Sequence, residues 1–295
     1  MSPMSSAPTP TPIPALASAV SSDGTVLAYR VLGDPAARPL VLVHGWAQSS
    51  ACWGPELLEA LAGRFRVVAV DLRGHGHSGV PEAGYDSSQQ WADDLEAVLD
   101  AAGIGEGGGS GDGTNAGAIL LGWSYGGVVV SDYLASRGEG RVAGLVLCGA
   151  VTSLSRSAGG AVGPAMKEVT SGGAFDEKPS VALEAFTSFG EAMMRSGSGT
   201  DRQRILGLSL ATPPAVRQKL LTRRVDHDDT LRGLTVPALV MHGEHDGVVL
   251  PSAGQANAEM IPGARHVGFA ESAHAPFLEE MPRFLSELDA FAAGL

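Results

Sequence analysis

The stretch Ile119-Leu-Leu-Gly-Trp-Ser-Tyr-Gly-Gly-Val-Val-Val130 places a Gly-x-Ser-x-Gly pattern between two apolar runs. It predicts a buried strand that ends at Ser124 and a helix that begins directly after it. Gly122 and Gly126 have no Cβ atom, so the strand and the helix can approach closely enough for such a tight turn. This arrangement is typical of a nucleophile elbow, which projects its serine hydroxyl beyond the end of a sheet. Because the chain contains 40 glycines, the pattern needs support from the surrounding sequence.

The composition is that of a globular protein, with 44% hydrophobic and 18% charged residues. A net charge of -12 argues against nucleic-acid binding. Cys52 and Cys148 are the only cysteines, which excludes a disulfide framework and a cysteine-based zinc site. No apolar run has the roughly 18 residues that a membrane helix needs. Residues 1–14 carry no secretory-signal pattern, so we expect a disordered tail and a cytoplasmic location.

Strand-like apolar runs alternate with amphipathic helical patterns along the chain. Strands are predicted at 15–20, 25–31, 39–43, 65–71, 118–122, 142–148, 236–242 and 265–269, and helices at about 53–63, 87–102, 179–195, 213–224, 252–260 and 281–292. This order predicts an α/β fold with a mainly parallel sheet of about eight strands and helices on both faces. The alternation stops between residues 150 and 236. We therefore expect a core of residues 15–150 and 234–295, with a helical cap at 151–233 after the sixth strand. Residues 105–117 are predicted to form a Gly-rich loop.

A serine hydroxyl needs an adjacent base to become a nucleophile, and the base needs an orienting group. In open α/β sheets such groups follow the carboxyl ends of strands. Asp246 follows the strand at 236–242 and is the candidate acid, with Glu244 as the fallback. His274, in the loop after the strand at 265–269, is the candidate base.

The other histidines are expected to have structural roles. His266 belongs to a strand, and His227 belongs to a run of charges at 226–229 that is predicted to be a solvated loop or a helix start. His242 and His245 resemble a pair of metal ligands, but no third ligand accompanies them. The sequence therefore predicts neither a metal site nor a cofactor.

An oxyanion that forms during acyl transfer needs N–H donors. The Tyr125 N–H follows the serine at the predicted helix start and supplies one of them. The second is expected from the turn His44-Gly45-Trp46, where Trp46 would contribute its backbone N–H.

With these features the chain resembles the α/β-hydrolase superfamily from about residue 20 to 292, in its cap-bearing serine esterase-like branch. The motifs that carry the resemblance are His44-Gly45-Trp46, Asp71-Leu-Arg-Gly-His-Gly-His-Ser78, Gly122-Trp-Ser-Tyr-Gly-Gly127, Gly243-Glu-His-Asp246, and His274-Ala-Pro276 with Glu279 and Pro282. The resemblance implies that Ser124 is the nucleophile, Asp246 the acid and His274 the base. It also implies an oxyanion hole formed by the Trp46 and Tyr125 amides.

The implied reaction is acyl transfer through an acyl-enzyme that water then hydrolyses. A serine at the elbow disfavours dehalogenase and epoxide hydrolase chemistry, for which the resemblance would imply aspartate. Lipase, lactonase, thioesterase, C–C bond hydrolase and cofactor-free perhydrolase activities stay open, and carboxylesterase is preferred as the least demanding reaction for a bare triad. A non-catalytic ligand receptor on the same fold is the alternative of another class.

The substrate is expected to be a small ester-like molecule, with no nucleic-acid or membrane partner, and the oligomeric state is left open. Phe186, Phe189, Met193 and Met194 suggest an apolar pocket wall for an acyl or aromatic group. The competing interpretation is that they pack the cap helices on one another.

Overall fold

The computed structural model describes residues 16–105, 117–154 and 161–295. Eight strands form one sheet in the order β1-β2-β4-β3-β5-β6-β7-β8. Their bounds are β1 Leu16–Val20, β2 Val26–Leu32, β3 Pro39–Val43, β4 Arg66–Val70, β5 Ala118–Trp123, β6 Val142–Cys148, β7 Ala238–Gly243 and β8 Arg265–Phe269. β2 pairs antiparallel with β1 and β4, and the other neighbouring strands are parallel. The predicted α/β class and the eight-stranded sheet are confirmed.

The helices of the described residues are α1 Pro55–Ala62, α2 Ser88–Ala101, α3 Gly126–Arg137, α4 Pro164–Gly172, α5 Pro179–Met193, α6 Gly199–Ala211, α7 Pro214–Thr222, α8 Asp228–Arg232, α9 Pro251–Met260, α10 Pro276–Glu279 and α11 Met281–Ala292. Helices α4 to α8 lie between β6 and β7, where the sequence predicts an insertion. The predicted tail and nearly all of the predicted Gly-rich loop lie outside the described residues. No described helix is both long and apolar enough to cross a membrane.

The central strands explain why the sheet carries helices on both faces. β5 and β7 are buried at every position, and β3 at all but its first residue. Such strands are continuous apolar runs because both of their faces are covered. Because β3 and β5 to β8 run parallel, their carboxyl ends meet at one edge of the sheet. The loops that leave this edge carry the predicted site residues.

Candidate active site

The turn between β5 and α3 holds Ser124 in a backbone conformation that side-chain-bearing residues rarely adopt. Its φ is 56°, in the left-handed region that costs free energy for residues with a Cβ atom. The turn is tight because a Cβ on Gly126 would lie 2.2 Å from the Val43 carbonyl oxygen, and one on Gly122 would lie 2.7 Å from the Gly126 oxygen. Only glycine fits at these two positions, so the two glycines allow Ser124 to stand at the end of the sheet.

Asp246 and His274 form a buried hydrogen-bonded pair after β7 and β8. His274 Nδ1 lies 2.7 Å from Asp246 Oδ2. The other oxygen of Asp246 accepts the N–H groups of Val248 and Val249, at 2.8 and 2.9 Å, which fixes the carboxylate in place. Burial alone would raise the pKa of Asp246, but the imidazole of His274 and the hydrogen bonds from His242 and His274 lower it to about 2. Asp246 is therefore an ionised carboxylate at neutral pH.

The structure brings Ser124 and this pair to the same edge of the sheet. The indole of Trp123, next to Ser124, donates to the His274 carbonyl at 2.8 Å, and its ring centroid lies 5.4 Å from that of the imidazole. Gly149, after β6, approaches both Asp246 Oδ2 and His274 Nδ1. No described hydrogen bond joins Ser124 Oγ to His274 Nε2. Catalytic hydrogen bonds are often long in free enzymes and shorten when substrate binds.

The two amides predicted to form an oxyanion hole belong to residues whose turns lie next to Ser124. Tyr125 is the N-cap residue of α3, and N–H groups at a helix start have no partner within the helix. On the other side, a Cβ on Gly45 would lie 2.9 Å from Ser124 Cβ, so the Trp46 turn passes close to the serine. Ala47, with a φ of 55°, is the only other non-glycine residue of the described chain with positive φ. Backbone strain is thus concentrated around Ser124, as is common at functional sites.

Three further buried histidines, His44 after β3, His75 after β4 and His242 in β7, each place a ring nitrogen at hydrogen-bond distance from a backbone oxygen. His44 Nδ1 lies 2.8 Å from the Gly45 oxygen, and its Nε2 accepts the Leu72 N–H at 3.1 Å. His75 is buried with its Nδ1 2.9 Å from the Arg73 oxygen, and burial lowers the pKa of His75 to about 3. His242 Nε2 lies 3.0 Å from the Val249 oxygen. These rings hold loops together, and no group of three potential metal ligands occurs within the described ranges.

Three of the four predicted pocket residues, Phe186, Phe189 and Met193, contact residues of the candidate site. The Phe186 and Phe189 rings lie 5.7 and 5.9 Å from the Trp46 ring, centroid to centroid. The Met193 carbonyl accepts the N–H of His274 at 3.0 Å, and the side chains of Met193 and Met194 are buried. Phe186, Phe189 and Met193 therefore join the inserted helices to the core beside the site, and Met194 is buried next to them in the chain.

Glu279 has a role in the geometry that the sequence did not reveal. One of its carboxylate oxygens accepts the Ala273 N–H at 2.8 Å. The other accepts the N–H groups of Arg195 and Ser196 at 2.7 and 3.0 Å. This single carboxylate joins the loop of His274 to the segment that follows α5. The resemblance included Glu279 in a motif without assigning it a contact.

His227 is the N-cap residue of α8, so the run of charges at 226–229 is a helix start, as one of its two interpretations predicted, and the solvated-loop interpretation is wrong. His227 is buried, and its Nε2 lies 2.8 Å from Asp132 Oδ1 on α3. Asp132 also accepts both terminal nitrogens of Arg223, at 2.8 and 2.9 Å. The sequence did contain a signal for this cluster, since Asp132 stands in the middle of the apolar helix α3 and a buried charge requires a partner. Asp228 and Asp229 do begin a helix, α8, as predicted.

Comparison with known proteins places the chain in a family. Residues 40–288 match the model of the Alpha/beta hydrolase family. The crystal structure of an esterase from Rhodococcus sp. ECU1013 is 48% identical, covers 95% of this chain and 99% of its own, and superposes with a TM-score of 0.89. A non-heme haloperoxidase of Rhodococcus erythropolis is 30% identical over 78% of this chain and 81% of its own length. A pimeloyl-[acyl-carrier protein] methyl ester esterase of Vibrio vulnificus is 32% identical over 86% of this chain and 93% of its own. The chain belongs to the α/β-hydrolase family and is an enzyme of that type.

Proposed function

We propose that the protein is a serine hydrolase that cleaves carboxylic esters through an acyl-enzyme on Ser124. The observation that carries the proposal is the strained turn at Ser124, at the same sheet edge as the buried pair of His274 and Asp246. The relatives named as esterases support ester hydrolysis as the reaction.

In the proposed reaction, His274 Nε2 takes the proton of Ser124 as the hydroxyl oxygen attacks the ester carbonyl carbon. His274 Nδ1–H donates to Asp246, and the ionised carboxylate stabilises the imidazolium that forms. The N–H groups of Trp46 and Tyr125 hold the oxyanion, and each such donor typically contributes about 3 kcal/mol to the transition state. The imidazolium then protonates the leaving alcohol, and water repeats the sequence to release the acid.

The helical segment 151–233 is proposed as the cap that shapes the substrate pocket. The packing of Phe186 and Phe189 on the side chain of Trp46 supports this role, since Trp46 lies in the proposed oxyanion turn. Aromatic and methionine side chains at this place favour an apolar acyl or aromatic group in the substrate.

The test is hydrolysis of short and medium p-nitrophenyl esters, with labelling of Ser124 by a fluorophosphonate probe. Ser124→Ala should abolish labelling and reduce kcat by several orders of magnitude, about 10⁶-fold for a serine nucleophile. Ser131→Ala is the matched control, because this buried hydroxyl lies on α3 and, among the described residues, bonds only to the Gly127 carbonyl. Full activity in Ser124→Ala would contradict the proposal, and failure of the wild-type protein to label would favour the non-catalytic receptor.

Perhydrolysis is the second candidate, because one relative is named a non-heme haloperoxidase. It would use the same acyl-enzyme, with hydrogen peroxide in place of water as the attacking nucleophile. Peracetic acid formation from methyl acetate and hydrogen peroxide, with methanol released on acylation, tests it. Thioesters, lactones and C–C substrates assayed beside the esters complete the substrate panel.

A further inference from the structure

Three arginines of the described chain are almost completely buried, and two of them are paired with carboxylates. Arg73 donates from Nε and Nη2 to Asp94 at 2.5 and 2.6 Å. Arg223 donates from both terminal nitrogens to Asp132. The third, Arg217 on α7, is only 2% exposed. It forms no ion pair with any carboxylate of the described residues.

The contacts of Arg217 do not compensate its buried positive charge as a carboxylate would. Its Nη1 donates to the Ser209 carbonyl at 3.4 Å, a long hydrogen bond, and its Nε is buried with no partner in the part of the chain that the structure describes. The guanidinium carbon lies 4.8 Å from the centre of the Phe186 ring. A cation–π contact with phenylalanine replaces only part of the lost hydration. Burial accordingly lowers the pKa of Arg217 from its ordinary value.

The aromatic side chains of Trp46 and Phe186 connect this arginine to the candidate active site. The Arg217 carbonyl accepts the indole N–H of Trp46 at 2.9 Å. The Phe186 ring beneath the guanidinium packs on the Trp46 ring. Trp46 follows Gly45, where a Cβ would lie 2.9 Å from Ser124 Cβ. Trp46 therefore belongs to the turn beside Ser124 and also contacts Arg217, directly through its indole N–H and indirectly through the Phe186 ring.

We propose that Arg217 binds a carboxylate at the far end of the acyl chain, so that the preferred substrates are monoesters of dicarboxylic acids. The inference rests on the proposed ester hydrolysis at Ser124. The planar guanidinium matches a carboxylate with two parallel hydrogen bonds, and its unused donors supply them. The rings of Trp46 and Phe186 give the methylene chain an apolar surface between its two ends.

The experiment compares kcat/KM for monomethyl esters of dicarboxylic acids of increasing length with uncharged methyl alkanoates of matching length. The wild-type enzyme should favour one length of monoester over its uncharged match. Arg217→Gln should lower kcat/KM for that monoester by about tenfold or more, mainly through KM, as expected when a charged hydrogen bond is lost. Its activity on the uncharged ester should change less than about twofold. Arg217→Lys, which keeps the charge without the planar fork, should retain an intermediate preference.

Lys219→Gln is the matched control, since it removes one positive charge from the same helix two residues away. It should leave the preference unchanged. An equal loss on both esters in Arg217→Gln, or no wild-type preference for a carboxylate, would overturn the assignment. Where Arg217→Gln fails to fold, Arg217→Lys tests the residue instead, and the absence of a wild-type preference for the monoester still overturns the assignment. Activity on uncharged esters that depends on Ser124 would leave the proposed function intact.

Discussion

The loops at the carboxyl edge of the sheet and the helices α4 to α8 differ in how much space surrounds their glycines. At the sheet edge, a Cβ on Gly126 or Gly243 would lie within 2.2 Å of a backbone oxygen. In α5 and α6, a Cβ on Gly190 or Gly207 would meet nothing within 4 Å. In the first region, backbone atoms pack directly on other backbone atoms, which fixes the conformation of the loops. In the second region, the helices pack on one another through their side chains. The chemistry proposed above lies in the first region, and the proposed substrate pocket is shaped by the second.

The largest effect in this comparison is expected on activity, from a substitution at the carboxyl edge of the sheet. Asp246→Asn should lower kcat for ester hydrolysis by about 10⁴-fold, because an amide favours the wrong tautomer of the catalytic imidazole. Glu244→Gln, which alters the exposed fallback acid at the end of the same strand, is the control and should retain activity. A loss of less than about tenfold in Asp246→Asn would contradict the role of Asp246.

The same variant tests the acid stability of the fold. The pKa of Asp246 lies at about 2 in the folded protein, below the ordinary value of 3.8. A carboxyl with a lowered pKa contributes stability above its unfolded pKa, and this contribution is lost as the pH falls through the folded pKa. Urea unfolding between about pH 5 and 2 should therefore show a shallower loss of stability in Asp246→Asn than in the wild type.

An intermediate effect is expected where the helical segment is fastened to the core. Asp132→Asn should reduce the free energy of unfolding by about 3 to 5 kcal/mol, because it leaves the buried guanidinium of Arg223 without its counter-charge. Urea unfolding measures this change. Asp289→Asn is the control, since its ion pair with Arg64 is about 40% exposed and such surface pairs contribute about 0 to 1 kcal/mol. Equal effects of the two substitutions would show that Asp132 does not anchor the segment.

The smallest effect should have the opposite sign. Gly207 is exposed within α6, and its surroundings leave room for a methyl group. Gly207→Ala should therefore raise the free energy of unfolding by about 0.5 to 1 kcal/mol, since glycine loses more backbone entropy in a helix. Thermal unfolding measures the gain. A loss of stability there would remove the contrast between the two regions.

The sheet could be predicted from sequence because its strands are local apolar runs that end in turn residues. Ser124, Asp246 and His274 were proposed for the same reason, since each directly follows such a run. The contacts of Glu279, His227 and Arg217 join segments far apart in the chain, and no local pattern encodes them. The strain at Ala47 was equally hidden, because position 47 itself is neither glycine nor asparagine, the residues that usually adopt a positive φ. The candidate residues near the strand ends could therefore be predicted from sequence, whereas the long-range contacts that surround them could not.

The attachment of Arg223 and His227 to Asp132 limits how the segment between β6 and β7 can be exchanged between hydrolases. A graft that replaced residues 151–233 as a block would remove both partners and leave a bare carboxylate inside α3. A transplant that ends before Arg223, or that also changes Asp132 to an apolar residue, avoids this cost. The practical junction for chimeric enzymes therefore lies before Arg223, inside the helical segment.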